Sequence, residues 1–127
     1  MTFRGLGPIG QIHVSVTDVG RAVAFYRDVL GIPLLFEVPE RSMAFFDCGE
    51  VRLYLGRPET PELRSTSLLY FAVDDIDEAH ATLVGRGVGF TDAPHVVDRT
   101  EASELRMAFF VDPDGNHLAL MSEGPVR

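Results

Sequence analysis

Gln11-Ile12-His13-Val14-Ser15-Val16-Thr17-Asp18-Val19 opens a pattern that the chain carries twice. Ile12, Val14 and Val16 alternate with His13 and Ser15, the period-two signature of a strand with one apolar face. Thr17 or Asp18 then caps a helix by accepting orphan backbone N–H bonds. Val19, Ala22, Val23, Tyr26, Val29 and Leu30 follow the i, i+3, i+4, i+7 spacing, giving that helix one buried stripe, and Gly31 supplies its left-handed stop. Pro33 to Val38, Ser42 to Phe46 and Val51 to Leu55 read as three strands separated by turn residues.

The second half repeats this order. Leu68 to Val73 is strand-like, and Asp75 with Glu78 three residues later is a capping-box pattern. Ile76, Ala79, Leu83 and Val84 make a second helical stripe, ended by Gly85 and Gly87. Val88 to Thr91, Leu105 to Val111 and His117 to Met121 are the remaining expected strands, the last two joined by the turn Asp112-Pro113-Asp114-Gly115-Asn116. Val16-Thr17-Asp18-Val19 matches Val73-Asp74-Asp75-Ile76 at an offset of 57 (73 − 16). Ala44-Phe45-Phe46 matches Ala108-Phe109-Phe110 at 64 (108 − 44), which assigns seven extra positions to the segment from Asp92 to Glu104. The expectation is one α+β domain over residues 1–127, with βαβββ modules at about 9–57 and 66–123.

Composition narrows the partners. The net charge is −8 with no basic cluster, which disfavours a nucleic-acid partner. Cys48 is the sole cysteine, so no intrachain disulfide forms and a reducing, cytoplasmic setting is expected. No signal-peptide pattern opens the chain, and no apolar run approaches the roughly 20 residues of a membrane helix.

His13 in its strand, Ala22-Val23-Ala24-Phe25-Tyr26-Arg27-Asp28-Val29-Leu30-Gly31, Val73-Asp74-Asp75-Ile76 and the Asp112–Asn116 turn together resemble the vicinal oxygen chelate superfamily, which includes glyoxalase I, bleomycin-resistance proteins and extradiol dioxygenases. The resemblance covers about Ile9 to Met121. It implies a curled mixed sheet around a cup that takes a small molecule, helices on the outside, and a homodimer. It also implies a divalent metal held from the first and fourth strands of each module.

Read at those positions, the repeat gives His13, Leu53, Tyr70 and Ala119. Leu53 follows from aligning Gly49 with Gly115. Only the imidazole is a competent N/O donor for a borderline metal. No cofactor is therefore expected at the usual place. A divalent metal at a relocated set, His13, His95 and Glu104, is the alternative, since the long second-half segment carries the last two.

The remaining candidates follow from residue chemistry. His13 and Tyr70, related by the repeat, are candidate catalytic residues for metal-free proton transfer. A histidine and a core tyrosine satisfying each other is the plainer reading. His13, Phe46, Tyr54, Tyr70, His95, Glu104 and Phe109 are expected to line the cup, with Phe36 and Phe45 beside them. The 92–104 segment reads as a binding loop or as solvated surface. Arg52 and Arg106 would pair either with an anionic ligand or with the surplus carboxylates. Cys48 has no neighbouring base in sequence, and His80 and His117 read as boundary and edge residues. Three activities remain open: binding of a partly aromatic molecule, metal-dependent lyase, isomerase or dioxygenase chemistry, and metal-free acid–base catalysis.

Overall fold

In the computed structural model, residues 3–127 are described, and each expected module folds as its own four-stranded mixed sheet with a helix on one face. In module one, β1 (Gln11–Ser15) leads into α1 (Val19–Val23) and then β2 (Leu34–Val38), β3 (Met43–Cys48) and β4 (Val51–Gly56). In module two, β5 (Leu69–Ala72) leads into α2 (Ile76–Gly85) and then β6 (His95–Arg99), β7 (Ser103–Val111) and β8 (His117–Pro125). The strand orders are β1-β4-β3-β2 and β5-β8-β7-β6, with β1 and β5 each parallel to the fourth strand of its module. The same order in both halves is the structural form of the repeat.

Local chemistry sets the boundaries. Asp18 caps α1 by accepting from the Arg21 N–H at 3.1 Å, and Asp75 caps α2 through the Glu78 N–H at 3.1 Å. After Val23 the first helix widens into a π-helical segment, Ala24–Val29, whose exit is marked by a bond from the Leu30 N–H to the Phe25 carbonyl. That wider winding still buries Tyr26 completely.

Two expectations about the second half are corrected. Val88 to Thr91 forms no strand, only a single bridge between Phe90 and Phe110. The second strand of module two is instead β6, inside the segment read as a loop. Its alternation is weak because it is an exposed edge strand with a bulge between Val96 and Asp98.

The helix-facing sides of both sheets share one core: Val14, Val16, Phe46, Leu53 and Leu55 from module one, and Ala108, Phe110, Leu118 and Leu120 from module two. The Asp112–Asn116 turn clasps the modules together. Asp112, 4% exposed, accepts from the Tyr26 hydroxyl at 2.8 Å, from Asn116 Nδ2 at 2.8 Å, and from the backbone N–H of Asp114 and of Asn116 at 2.9 Å each. Asn116 Nδ2 also donates to the Ser15 carbonyl at 2.9 Å, and Asp114 accepts from Thr17. A buried carboxylate is tolerated here because donors surround it. It also raises the pKa of Tyr26, whose phenol burial already holds neutral. Among the described residues no helix is long and apolar enough to cross a membrane.

Candidate functional site: an aromatic row on the open face of sheet one

In each sheet the face opposite the helix is left open, and strand parity decides what it shows. On sheet one, His13 on β1 is in register with Tyr54 on β4, Tyr54 with Phe45 on β3, and Phe45 with Phe36 on β2. One row therefore crosses all four strands. The ring centroids are 4.6 Å apart from His13 to Tyr54, 5.0 Å from Tyr54 to Phe45 and 4.6 Å from Phe45 to Phe36, with the last two pairs stacked. These spacings are those of favourable π contacts. Phe36 remains 45% exposed, so the row presents apolar surface to solvent.

Gly56 makes room for this row. A Cβ there would lie 2.7 Å from Tyr54 Cε1 and 2.8 Å from its hydroxyl oxygen, so the outer edge of the ring occupies the space a side chain would fill. Burial and the nearby Glu59 raise the Tyr54 pKa, which keeps it a neutral phenol.

At the end of the row, His13 Nε2 lies 3.1 Å from Ser15 Oγ. Ser15 and Ser65 hold each other reciprocally: the Ser15 N–H donates to Ser65 Oγ at 2.8 Å and the Ser65 N–H to Ser15 Oγ at 2.9 Å. His13 Nδ1 is buried without a hydrogen-bond partner. Burial lowers the His13 pKa and the Tyr54 backbone opposes this in part, so the ring is held neutral at pH 7. A neutral imidazole is an aromatic plate with hydrogen-bonding edges, suited to stacking as much as to proton transfer.

Sheet two presents a different open face. Tyr70 on β5 pairs with Ala119 on β8, and Ala119 with Phe109 on β7. The Tyr70 and Phe109 rings meet edge-on at 6.2 Å across the small Ala119 side chain. Met107, Met121 and His95 form the neighbouring row. His95 Nδ1 lies 2.9 Å from the Ala93 carbonyl and 3.4 Å from Asp92.

Parity separates the expected lining residues. His13, Tyr54, Tyr70, Phe109 and His95 occupy open faces. Phe46 does not: it is fully buried on the helix side, its ring 6.1 Å from that of Tyr26. Adjacent strand residues point to opposite faces, so Phe45 and Phe46 cannot share one. Glu104 also lies on the helix side, in line with Arg106 and Ala108. Arg99 reaches it at 2.8 Å and Arg106 Nε at 3.1 Å, and these guanidinium groups lower its pKa, Arg106 first. The relocated set of His13, His95 and Glu104 is therefore split between two sheets and two faces. Among the described residues no three His, Cys, Asp or Glu side chains gather as a metal site. Tyr70 and His13 likewise stand on different sheets, and the expected approach of the tyrosine hydroxyl to the imidazole is replaced by the contacts of His13 with Ser15 and Tyr54.

The repeat-related metal positions need one correction. The β3–β4 hairpin turns over Gly49 and Glu50, with Cys48 paired to Val51, whereas the β7–β8 turn spans residues 112–116, with Val111 paired to His117. Matching the glycines slips the register by one residue, which flips the face. The partner of His13 is Tyr54, as Ala119 is the partner of Tyr70; Leu53 is a core residue, 1% exposed. The four positions are thus His13, Tyr54, Tyr70 and Ala119. One imidazole, two phenols and a methyl group do not fit a divalent metal.

Sequence reasoning missed Gly56, Gln11 and Ser65, which support the row without chemistry of their own. A glycine two residues beyond a strand tyrosine of the same parity was the available signal for the first.

Comparison with known proteins agrees with this architecture. YraH of Bacillus subtilis (strain 168), an uncharacterized protein, is 37% identical over 119 residues, covering 84% of this chain and 91% of its own. The crystal structure of a glyoxalase/bleomycin resistance protein/dioxygenase superfamily member from Sphaerobacter thermophilus DSM 20745 superposes with a TM-score of 0.77 at 27% identity, covering 92% of this chain and 98% of that one. TnmS3, an antibiotic binding protein from Streptomyces sp. CB03234, superposes with a TM-score of 0.76 at 27% identity, covering 98% and 100%. The family model for this superfamily matches residues 8–120, nearly the whole span of both modules, and the chain belongs to the Glyoxalase/Bleomycin resistance protein/Dioxygenase superfamily.

Proposed function

We propose that this protein binds a small, partly aromatic molecule on the open face of sheet one, acts without a divalent metal at the four repeat-related positions, and does so as a cytoplasmic homodimer. The observation that carries the reading is the continuous row His13–Tyr54–Phe45–Phe36, stacked yet half open to solvent. A planar ligand extends such a stack at little conformational cost, because the plates are already ordered by the strand register. The loss of donor chemistry at Tyr54, Tyr70 and Ala119 supports binding over metal-assisted turnover. The likeness to TnmS3, an antibiotic binding protein, points the same way. The dimer is supported by the exposure of Phe36 and Tyr70, each 45%, on open faces that no part of the described chain covers.

Titration calorimetry with 2-naphthamide, a neutral planar probe, tests the reading. Saturable binding is expected, with Tyr54→Ala weakening it about tenfold through loss of a central ring. Absence of binding, or equal affinity in Tyr54→Ala, overturns it. Elemental analysis of the purified protein provides the metal arm: a stoichiometric transition metal removed by His13→Ala would refute the metal-free part.

A further inference from the structure

The aromatic row has a charged neighbour. Arg52 stands on β4 two residues before Tyr54, so it shares the open face, and Gln11 stands opposite it on β1. Its guanidinium lies 5.0 Å from the centre of the Phe45 ring, and its Nε donates to Gln11 Oε1 at 2.8 Å. The head group is thus held over the row by a cation–π contact and one neutral acceptor.

Among the described residues Arg52 makes no ion pair, a state it shares with Arg41, Arg57, Arg64 and Arg86; its place over the aromatic row is what sets it apart. Arg21, Arg27, Arg99, Arg106 and Arg127 each pair with an aspartate or glutamate. Arg106, the other strand arginine singled out by the sequence, takes the duller course and binds Glu104. Arg52 faces Asp47 directly across the β3–β4 ladder, yet no carboxylate among the described residues lies within ion-pair distance of it. It leans instead toward the rings. With Nε committed to Gln11, the two terminal nitrogens keep their donors for another acceptor.

Resting on the aromatic-binding reading, we propose that the ligand is an aromatic acid: a planar ring system that packs against the solvent side of the Phe36–Phe45–Tyr54 row and carries a carboxylate at its edge, which Arg52 receives. A guanidinium is matched to carboxylate geometry, and its place above Phe45 sets the charge one row away from the neutral His13. Gln11 acts as a positioning residue, holding Nε so that the terminal nitrogens face the ring edge. Asp47 is the competing anion, and its proximity favours ligands long enough to keep their carboxylate on the ring side of Arg52.

The test compares 2-naphthoate with 2-naphthamide, which differ in charge and hardly in shape, by titration calorimetry at pH 7.5. In the unsubstituted protein, 2-naphthoate is expected to bind about tenfold more tightly, with the preference shrinking as sodium chloride rises from low to high concentration. Arg52→Gln, an exposed substitution, should abolish the preference by weakening 2-naphthoate about tenfold and leaving 2-naphthamide unchanged. Gln11→Ala should reduce the preference in part. Equal binding of both probes, or an equal loss of both in Arg52→Gln, overturns the acid-specific assignment while the aromatic site stands. Failure of both probes to bind overturns the aromatic site and the assignment with it.

Discussion

Replacing Asp112 with alanine removes the acceptor at the centre of the clasp between the modules. Four donors converge on its carboxylate: the Tyr26 hydroxyl, Asn116 Nδ2 and the backbone N–H of Asp114 and of Asn116. These donors are not equal once the acceptor is gone. Asp114 and Asn116 are partly exposed and regain water, so each lost bond there costs about 0.5–1 kcal/mol. Tyr26 is fully buried and its hydroxyl bonds to Asp112, so orphaning it costs about 1–3 kcal/mol. Together these give a loss of about 3–5 kcal/mol, a large share of the stability of a domain this size, and a fall in Tm of roughly 10–20 °C. Urea denaturation of Asp112→Ala, Tyr26→Phe and the double variant checks the arithmetic. Tyr26→Phe alone should cost about 1–2 kcal/mol, since it removes one bond to a charged acceptor. In the Asp112→Ala background the same change should cost nothing or stabilise slightly, because it deletes the orphaned hydroxyl. If Asp112→Ala costs under about 1 kcal/mol, or if Tyr26→Phe costs the same in both backgrounds, the carboxylate is not the hub described and the reasoning fails.

Other perturbations read the site itself. Gly56→Ala should displace the Tyr54 ring, since the new Cβ falls 2.7 Å from Cε1; the His13 imidazole proton shifts by NMR should lose their Tyr54 ring-current contribution, with stability changed by under about 1 kcal/mol because the ring's outer edge can swing. Burial holds the His13 pKa below its ordinary 6.5, so between the two values the folded chain binds fewer protons at this ring than the unfolded chain. The His13 contribution is therefore complete above about pH 6.5 and lost as pH falls through that value toward the folded pKa; urea midpoints at pH 7.5 and 5.5 should differ less in His13→Gln than in the parent. Cys48, its thiol pKa raised by burial and then by Asp47, should react with iodoacetamide more slowly than free cysteine at pH 8, and equal rates would contradict the placement.

The fold was legible because both of its periods were strong. Ile12-His13-Val14 alternates cleanly and the Val19–Leu30 stripe is apolar at helical spacing, so β1 and the first helix follow from side-chain chemistry alone. The π widening at Ala24–Val29 was not legible, because shifting bonds from i+4 to i+5 leaves the same residues buried. β6 was hidden for a related reason: an edge strand exposed along its length has no buried face to impose alternation on His95–Arg99. The face on which a candidate residue stands was harder to read than its element. Phe46 was chosen with Phe45, although only one of two neighbours can face the same way; Ala44 and Phe46 pair with Leu55 and Leu53 in the core, leaving Phe45 with Tyr54. The sequence reading has Glu104 line the cup, although arginines at 99 and 106 are the signal that its charge is engaged elsewhere.

The single-residue slip at Leu53 bears on how the two halves came to differ. The two halves share what the backbone requires: strand order, the Asp18 and Asp75 caps, and the parallel pairing of first and fourth strands. They do not share turn length: four residues lie between the paired Asp47 and Arg52 and five between the equivalent pair Val111 and His117, which shifts every later position by one. With the register restored, His13–Tyr54 and Tyr70–Ala119 are equivalent pairs, at the positions where the family resemblance implies metal ligands. What fills them is size and aromaticity in place of charge. Tyr54 completes a stack of rings and needs Gly56 beneath it; Ala119 opens a gap that Tyr70 and Phe109 close from either side. Donors selected for a metal would have been carboxylates and imidazoles, whose desolvation is offset only by the ion they hold. Rings and a methyl group need no such ion to be stable at a half-buried surface.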